Sequence, residues 1–235
     1  MDIIGAINKE REYLSFRAKG EEPYHLVDAV KEYGFESLKE YFEAKKEYQI
    51  SQLKFEIVET IPENAIADAM AIMAEKRTVL LYAISNKTLV WNGNNGQLDT
   101  EYCDKCDIPI YPYLTGGGTI VNTVGDISLG ICVPEDLMLD SNVFLGKFAK
   151  ILQNYTNKDV VVDGNDILVD NGKVVGAASY NQNNMFMFIA SLSLSDKSEI
   201  ISCICQKHST KQPGYMDFID ANTLLEEVRK WLQVQ

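Results

Sequence analysis

Between residues 22 and 53, apolar side chains recur at three- and four-residue steps, Leu26, Val27 and Val30, then Phe35, Leu38, Tyr41 and Phe42, among many charged positions. That spacing predicts amphipathic helix, and Gly34 splits it into two. Residues 1–53 therefore read as a helical extension. The texture changes after it: "KFEIVET", 54–60, alternates like a strand, and "PENAIADAMAIMAEK", 62–76, is an amphipathic helix that Pro62 can open. Short β-type runs come next at "TVLLYAI", "TLVWNG", "IPIYPYL", "TIVNTV" and "DISLGICV", joined by turn-rich text such as "NGNNGQ". A helix is predicted over "SNVFLGKFAKILQNY", 141–155, and "DGNDILVDNGKVVGAAS", 163–179, reads strand, turn, strand. Strands are predicted at "MFMFIASLSLS" and "EIISCICQK", and a closing amphipathic helix at "ANTLLEEVRKWLQ". Residues 54–235 thus predict an α+β domain of mostly antiparallel or mixed β-sheets flanked by helices.

Composition narrows the function classes. With 235 residues, 46% hydrophobic and 24% charged, the chain is long enough to bury a sizeable core and reads as a globular protein. No apolar run approaches the roughly 18 residues of a membrane span. "MDIIGAINKERE" lacks the apolar centre of a signal peptide, which leads to the expectation of a cytoplasmic protein. Five cysteines, an odd number, suit a reducing compartment better than a disulfide framework. A net charge of −12 argues against nucleic acid or an anionic membrane as partner, so any anionic ligand must be held by local groups.

Few residues offer chemistry. Cys103 and Cys106 have the gap of a zinc half-site that Cys203 and Cys205 could complete, although two cysteines two apart in a strand can equally face a core. His25 and His208 are the only histidines, too few for a histidine-based triad or metal site, and His208 falls in a predicted loop. Neither a Walker phosphate loop nor a GxGxxG fingerprint is present. Two features remain. Gly116, Gly117 and Gly118 are consecutive, and each glycine loses more freedom on folding than alanine, by roughly 0.5–1 kcal/mol. The run is either a flexible hairpin loop or a place where a ligand lies against backbone N–H groups able to hold a carboxylate or phosphate. Lys173 stands between Gly172 and Gly176, where a lysine can simply reach water from a hairpin tip.

Taken in order, "PENAIADAMAIM", "LVWNGNNGQ", "IPIYPYLTGGGTIVNTVGDISLG", a helix and "GNDILVDNGKVVGAAS" resemble the lipoate-ligase branch of the biotin/lipoate protein ligase catalytic-domain family, over about Phe55 to Leu194. The family's Asn-Asp-Ile element and Lys-x-x-Gly element are matched by Asn165, Asp166, Ile167, Lys173 and Gly176. The resemblance implies ATP-dependent activation of a small carboxylic acid as an acyl adenylate, followed by acyl transfer to a lysine of a lipoyl-type carrier domain. It implies that Lys173 is catalytic, offsetting charge between the carboxylate and the α-phosphate. Asp166 would help hold Mg2+, and Asn165 would fix the loop and ligand. Thr115, Gly116, Gly117, Gly118, Gly176 and Ala177 would line the acyl and nucleotide site.

Departures from the family pattern bear on mechanism. Pro112, Tyr113, Leu114 and Thr115 occupy the place of an arginine before the glycines, so a phosphate-binding cation is missing there. Asn122 and Thr123 replace a His-Asp pair, and Phe188 to Leu192 replace a strand preceded by histidine. No C-terminal accessory domain comes after Ile219, which leads to the expectation of a separate accessory subunit. An ATP-independent octanoyl or lipoyl transferase is the rival reading, and it needs a cysteine nucleophile; Cys132 lies in an apolar run and reads as core. A non-catalytic acyl- or nucleotide-binding partner or regulator of the same fold is the third.

Overall fold

A computed structural model describes residues 1–21, 23–93, 97–113, 118–137, 139–205 and 211–233. Two compact units divide between Leu53 and Lys54.

The first unit is three helices: α1 (Ile3–Ala18), α2 (Leu26–Lys31) and α3 (Leu38–Ser51). Asp2 caps α1 by accepting from the Gly5 amide at 2.9 Å, and Ser37 caps α3 by accepting from the Glu40 amide at 3.2 Å. Between α2 and α3 the chain turns at Gly34, whose φ of 90° a side chain would resist. Ala6, Ile7, Val30, Phe35 and Tyr41 form the unit's own core. Three- and four-residue apolar steps predict α2 and α3, whereas α1 is legible only as part of the extension.

The second unit holds β1 (Glu56–Glu59), α4 (Ala65–Ala74), β2 (Val79–Ile84), β3 (Leu89–Asn92), α5 (Thr100–Lys105), β4 (Ile110–Pro112), β5 (Thr119–Asn122), β6 (Ile127–Pro134), α6 (Ser141–Gln153), β7 (Val160–Asp163), β8 (Asp166–Val169), β9 (Gly172–Gln182), β10 (Met185–Leu192), α7 (Ser198–Ile204), β11 (Gln212–Pro213) and α8 (Ala221–Leu232). Among the described residues the large sheet runs β1-β2-β6-β10-β9-β8-β7, with β11 beside β9, and β4-β3-β5 form a small one. Most pairs are antiparallel, while β1 with β2, β3 with β4 and β11 with β9 are parallel. The β8–β9 and β9–β10 hairpins turn on Asp170-Asn171 and Asn183-Asn184, all four in the left-handed region that tight two-residue turns require.

Both faces of the large sheet are covered, which is why β2 and β10 read as continuous apolar runs. On one face Phe144 and Phe148 of α6 stack on Phe188 of β10, and Trp231 of α8 meets both α6 rings edge-on. On the other, Ala69, Ile72 and Met73 of α4 pack over Val79, Leu81, Cys132 and Met187.

Residues 198–204 form α7 rather than the strand that "EIISCICQK" predicts. The run Ile200, Ile201, Ile204 also has helical spacing, and packing of Ile204 against Cys103 of α5 decides the conformation. Helix α5 lies outside the elements that the apolar pattern predicts; Asp99 caps it by accepting from the Tyr102 amide at 2.8 Å.

Candidate active site

The α4-covered face of the large sheet carries a gradient of chemistry that the strand register lays out row by row. Residues paired across antiparallel strands project to the same face. One row is Val79, Cys132, Met187 and Tyr180, wholly apolar apart from the tyrosine hydroxyl. The next is Leu81, Gly130, Ile189 and Ala178. The third is Ala83, Ser128, Ser191, Gly176 and Asp166, small and polar and ending in a charge.

A pocket enclosing about 600 Å3, its open mouth included, lies on these rows, with α4 supplying Ile66 and Ala69 and the second sheet supplying Trp91 and Ile120. Small residues in the middle row leave the room. Gly130 forms part of the floor, with Met187 beside it. At the polar row, Asn122, fully buried, donates to Ser128 Oγ at 2.8 Å and accepts from Ser191 Oγ at 2.7 Å.

Lys173 comes to this row through a bulge. Three residues separate it from Gly176, and in an unbroken strand the two would face opposite sides. Ile167 pairs with Val175 but Leu168 pairs with Lys173, so Val174 is an extra residue on β9. A bulge of this kind re-aims the side chains beside it. The Lys173 side chain accordingly folds over Gly176, where a Cβ would stand 2.9 Å from Cε and 3.0 Å from Nζ. Its ammonium meets Asp166 Oδ1 at 2.8 Å, which uses one of three N–H donors and leaves two without acceptors among the described residues.

A second cation enters from far along the chain. Lys211 Nζ lies 2.6 Å from Asp166 Oδ2, 3.0 Å from Asp163 Oδ2 and 2.8 Å from the Asp163 carbonyl. The hydrogen bond to Asp166 leads in raising its pKa, so it stays protonated. Gly172 and Gly214 make its placement possible: a Cβ on Gly214 would come within 2.7 to 2.9 Å of the Gly172 backbone, so only glycine lets β11 lie so close to β9.

The residues singled out in the sequence fare unequally. Asp166, Lys173 and Gly176 converge. Ala177 lies beside Gly176, its amide donating to the Asn165 carbonyl at 2.8 Å. Asn165 sits in the β7–β8 turn with an exposed side chain that makes no hydrogen bond among the described residues. Gly118 has open space where a Cβ would be, while Thr115, Gly116, Gly117 and His208 lie outside the described residues. Both oxygens of Asp166 are taken by ammonium groups, and no cluster of three or more His, Cys, Asp or Glu among the described residues could hold a metal ion. The carboxylate therefore does not fit a protein-held magnesium. That count includes the cysteines, although α5 and α7 do bring Cys103 and Cys205 together.

Lys211 and the Asn122, Ser128 and Ser191 network escape a reading of the sequence. The Pro-Gly after Gln212 marks a constrained backbone, but nothing local pairs Lys211 with Asp166, 45 residues away. Cys132 is fully buried, and burial pushes its thiol up to about 12. No described helix is long and apolar enough to cross a membrane.

This combination of a mixed sheet, a small second sheet and a lysine-bearing hairpin is similar in fold to solved lipoate ligases. The lipoate-bound LipL1 of P. falciparum superposes with a TM-score of 0.62 at 12% identity, over 77% of this chain and 62% of its own length. A putative lipoate protein ligase from T. acidophilum with bound lipoic acid gives 0.59 at 17% identity, over 77% of this chain and 86% of that one. A bipartite lipoate protein ligase from T. acidophilum, studied with its E2 lipoyl domain, gives 0.60 at 16%, over 77% and 84%. No curated protein sequence matches the chain. Residues 63–223 match the lipoyl protein ligase A/B catalytic domain, and the chain belongs to that family.

Proposed function

We propose that the chain activates a lipoate-type, medium-length carboxylic acid with ATP and transfers the acyl group to a lysine of a carrier protein. The observation that carries this reading is the Lys173 ammonium, pinned by Asp166 with two donors to spare on the strand row that continues from Ser128 and Ser191, the polar edge of a largely apolar pocket. The chain of the acid lies on the apolar rows, each buried methylene contributing about 0.8 kcal/mol, and the carboxylate lies at Lys173. Affinity then comes from the chain and direction from the cation.

In the first half-reaction a carboxylate oxygen attacks the α-phosphorus of ATP and pyrophosphate leaves. Lys173 offsets negative charge as the two anions approach, and Lys211 holds Asp166 so that the Lys173 amine keeps its place. In the second, a carrier lysine amine attacks the acyl carbonyl and AMP leaves. Magnesium would arrive on the triphosphate, screening its charge, and no group of three or more His, Cys, Asp or Glu among the described residues could hold it without the nucleotide. A carrier domain and an accessory subunit have a precedent in the bipartite T. acidophilum ligase. A thioester-forming transferase is disfavoured because Cys132 is sealed under α4 as a neutral thiol.

Pyrophosphate release with ATP, magnesium and lipoate, octanoate or biotin tests the proposal. Release should depend on lipoate or octanoate and fall about 100-fold or more in Lys173→Ala. Release that is unchanged in the variant would remove Lys173 from the chemistry.

A further inference from the structure

Lys197, in the link between β10 and α7, is a buried cation that the proposed chemistry has not used. Its residue is 7% exposed. Nζ donates to the Val121 carbonyl at 2.7 Å and to Asp126 Oδ2 at 2.8 Å, and its third N–H has no acceptor among the described residues. A buried ion pair contributes little net stability against an apolar pair of similar volume, and an open donor on a buried charge is costly. Asp126 is firmly held, accepting also from the Thr123 amide at 2.8 Å, Thr123 Oγ1 at 3.1 Å and the Leu194 amide at 2.8 Å. Its carboxylate thereby fixes the lysine rather than following it.

Position gives the open donor a use. Val121 precedes Asn122, whose side chain joins Ser128 to Ser191 in the polar row, so the ammonium lies level with that row. Lys173 stands over Gly176, directly opposite Ser191. Ser191 thus connects to both, to Lys173 through its pairing with Gly176 and to Lys197 through Asn122 and the adjoining Val121 carbonyl. The two ammoniums are close enough that, after burial, the Lys173 charge helps lower the pKa of Lys197. Each ammonium keeps N–H donors that an anion can take.

We propose that Lys197 is a second ligand-binding cation of the site, meeting the carboxylate head of the bound acid opposite Lys173. The inference rests on the acid-binding reading above and names which groups bracket the carboxylate.

Calorimetric binding of octanoate, octanamide and ATP to wild type and to a Lys197→Met/Asp126→Asn double variant tests it, because the double change leaves no lone buried charge. Octanoate should bind the double variant at least about 10-fold more weakly, with octanamide and ATP unchanged. Equal octanoate affinity, or loss of ATP binding alone, would overturn the inference while leaving the acid-binding reading intact. Wild type binding none of the acids would overturn both. Should the variant not fold, the lysine Nζ resonances of isotope-labelled wild type decide: Lys197 should shift with octanoate and not with octanamide, and a silent Lys197 contradicts the inference.

Discussion

Gly176 is where one methyl group interrogates the site. A Cβ there would sit in the space of the Lys173 Cε and Nζ atoms, the far end of a flexible side chain, so the fold should tolerate Gly176→Ala while the ammonium is displaced. We expect unchanged thermal stability and acid-dependent pyrophosphate release lowered about 10-fold; a variant of full activity would show that the ammonium works from elsewhere. Cys132 makes a prediction of opposite kind. Its folded pKa of about 12 lies above that of an unfolded thiol, so the unfolded chain loses its proton first. The thiol's contribution is complete below about pH 8.5 and is lost as pH rises toward 12. Urea melts at about pH 8 and about pH 10.5 should show an alkaline loss that is smaller in Cys132→Ala; an equal loss in both would place the thiol in contact with water. Of these residues, Lys173, Asp166 and Gly176 are singled out in the sequence by the family resemblance, and one hairpin brings the three together. Lys211, Lys197 and Asn122 are not legible there, since only tertiary contact gives each its partner.

At the scale of elements, the β8–β9 hairpin and the short β11 act as one device. The bulge at Val174 turns Lys173 to the pocket face, and the Gly172–Gly214 contact brings β11 close enough to set Lys211 on Asp166. In Gly214→Ala the new Cβ meets backbone that cannot rotate away, so the strands must part, at about 1–3 kcal/mol. We expect a lower melting temperature together with weaker acid activation, and a variant matching wild type in both would contradict the tight packing of β11. Periodicity exposed the strands and α6 and α8 because each buries one consistent stripe or two full faces. It failed at α7, where Ile200, Ile201 and Ile204 suit both periods and packing against α5 decides. The bulge was invisible for a similar reason: "GKVVGAAS" alternates poorly, and only pairing with β8 reveals which residue is extra.

For the whole molecule, each unit has its own buried cluster, and the pocket, the polar row and all three lysines belong to the second. Residues 54–235 expressed alone should therefore bind octanoate as the full chain does; loss of binding in a folded fragment would assign the N-terminal helices a share in the site. The fold could be anticipated as a whole because an ordered set of short motifs spans it, whereas the gradient along the pocket depends on register across four strands and could not. Everything proposed for the site hangs on that gradient, and a crystal structure with octanoate bound is its sharpest test. The carboxylate should lie within about 3 Å of Lys173 Nζ, with the chain lying across Gly130 toward Met187. A carboxylate at the Met187 end, or an acid bound away from these rows, would refute it.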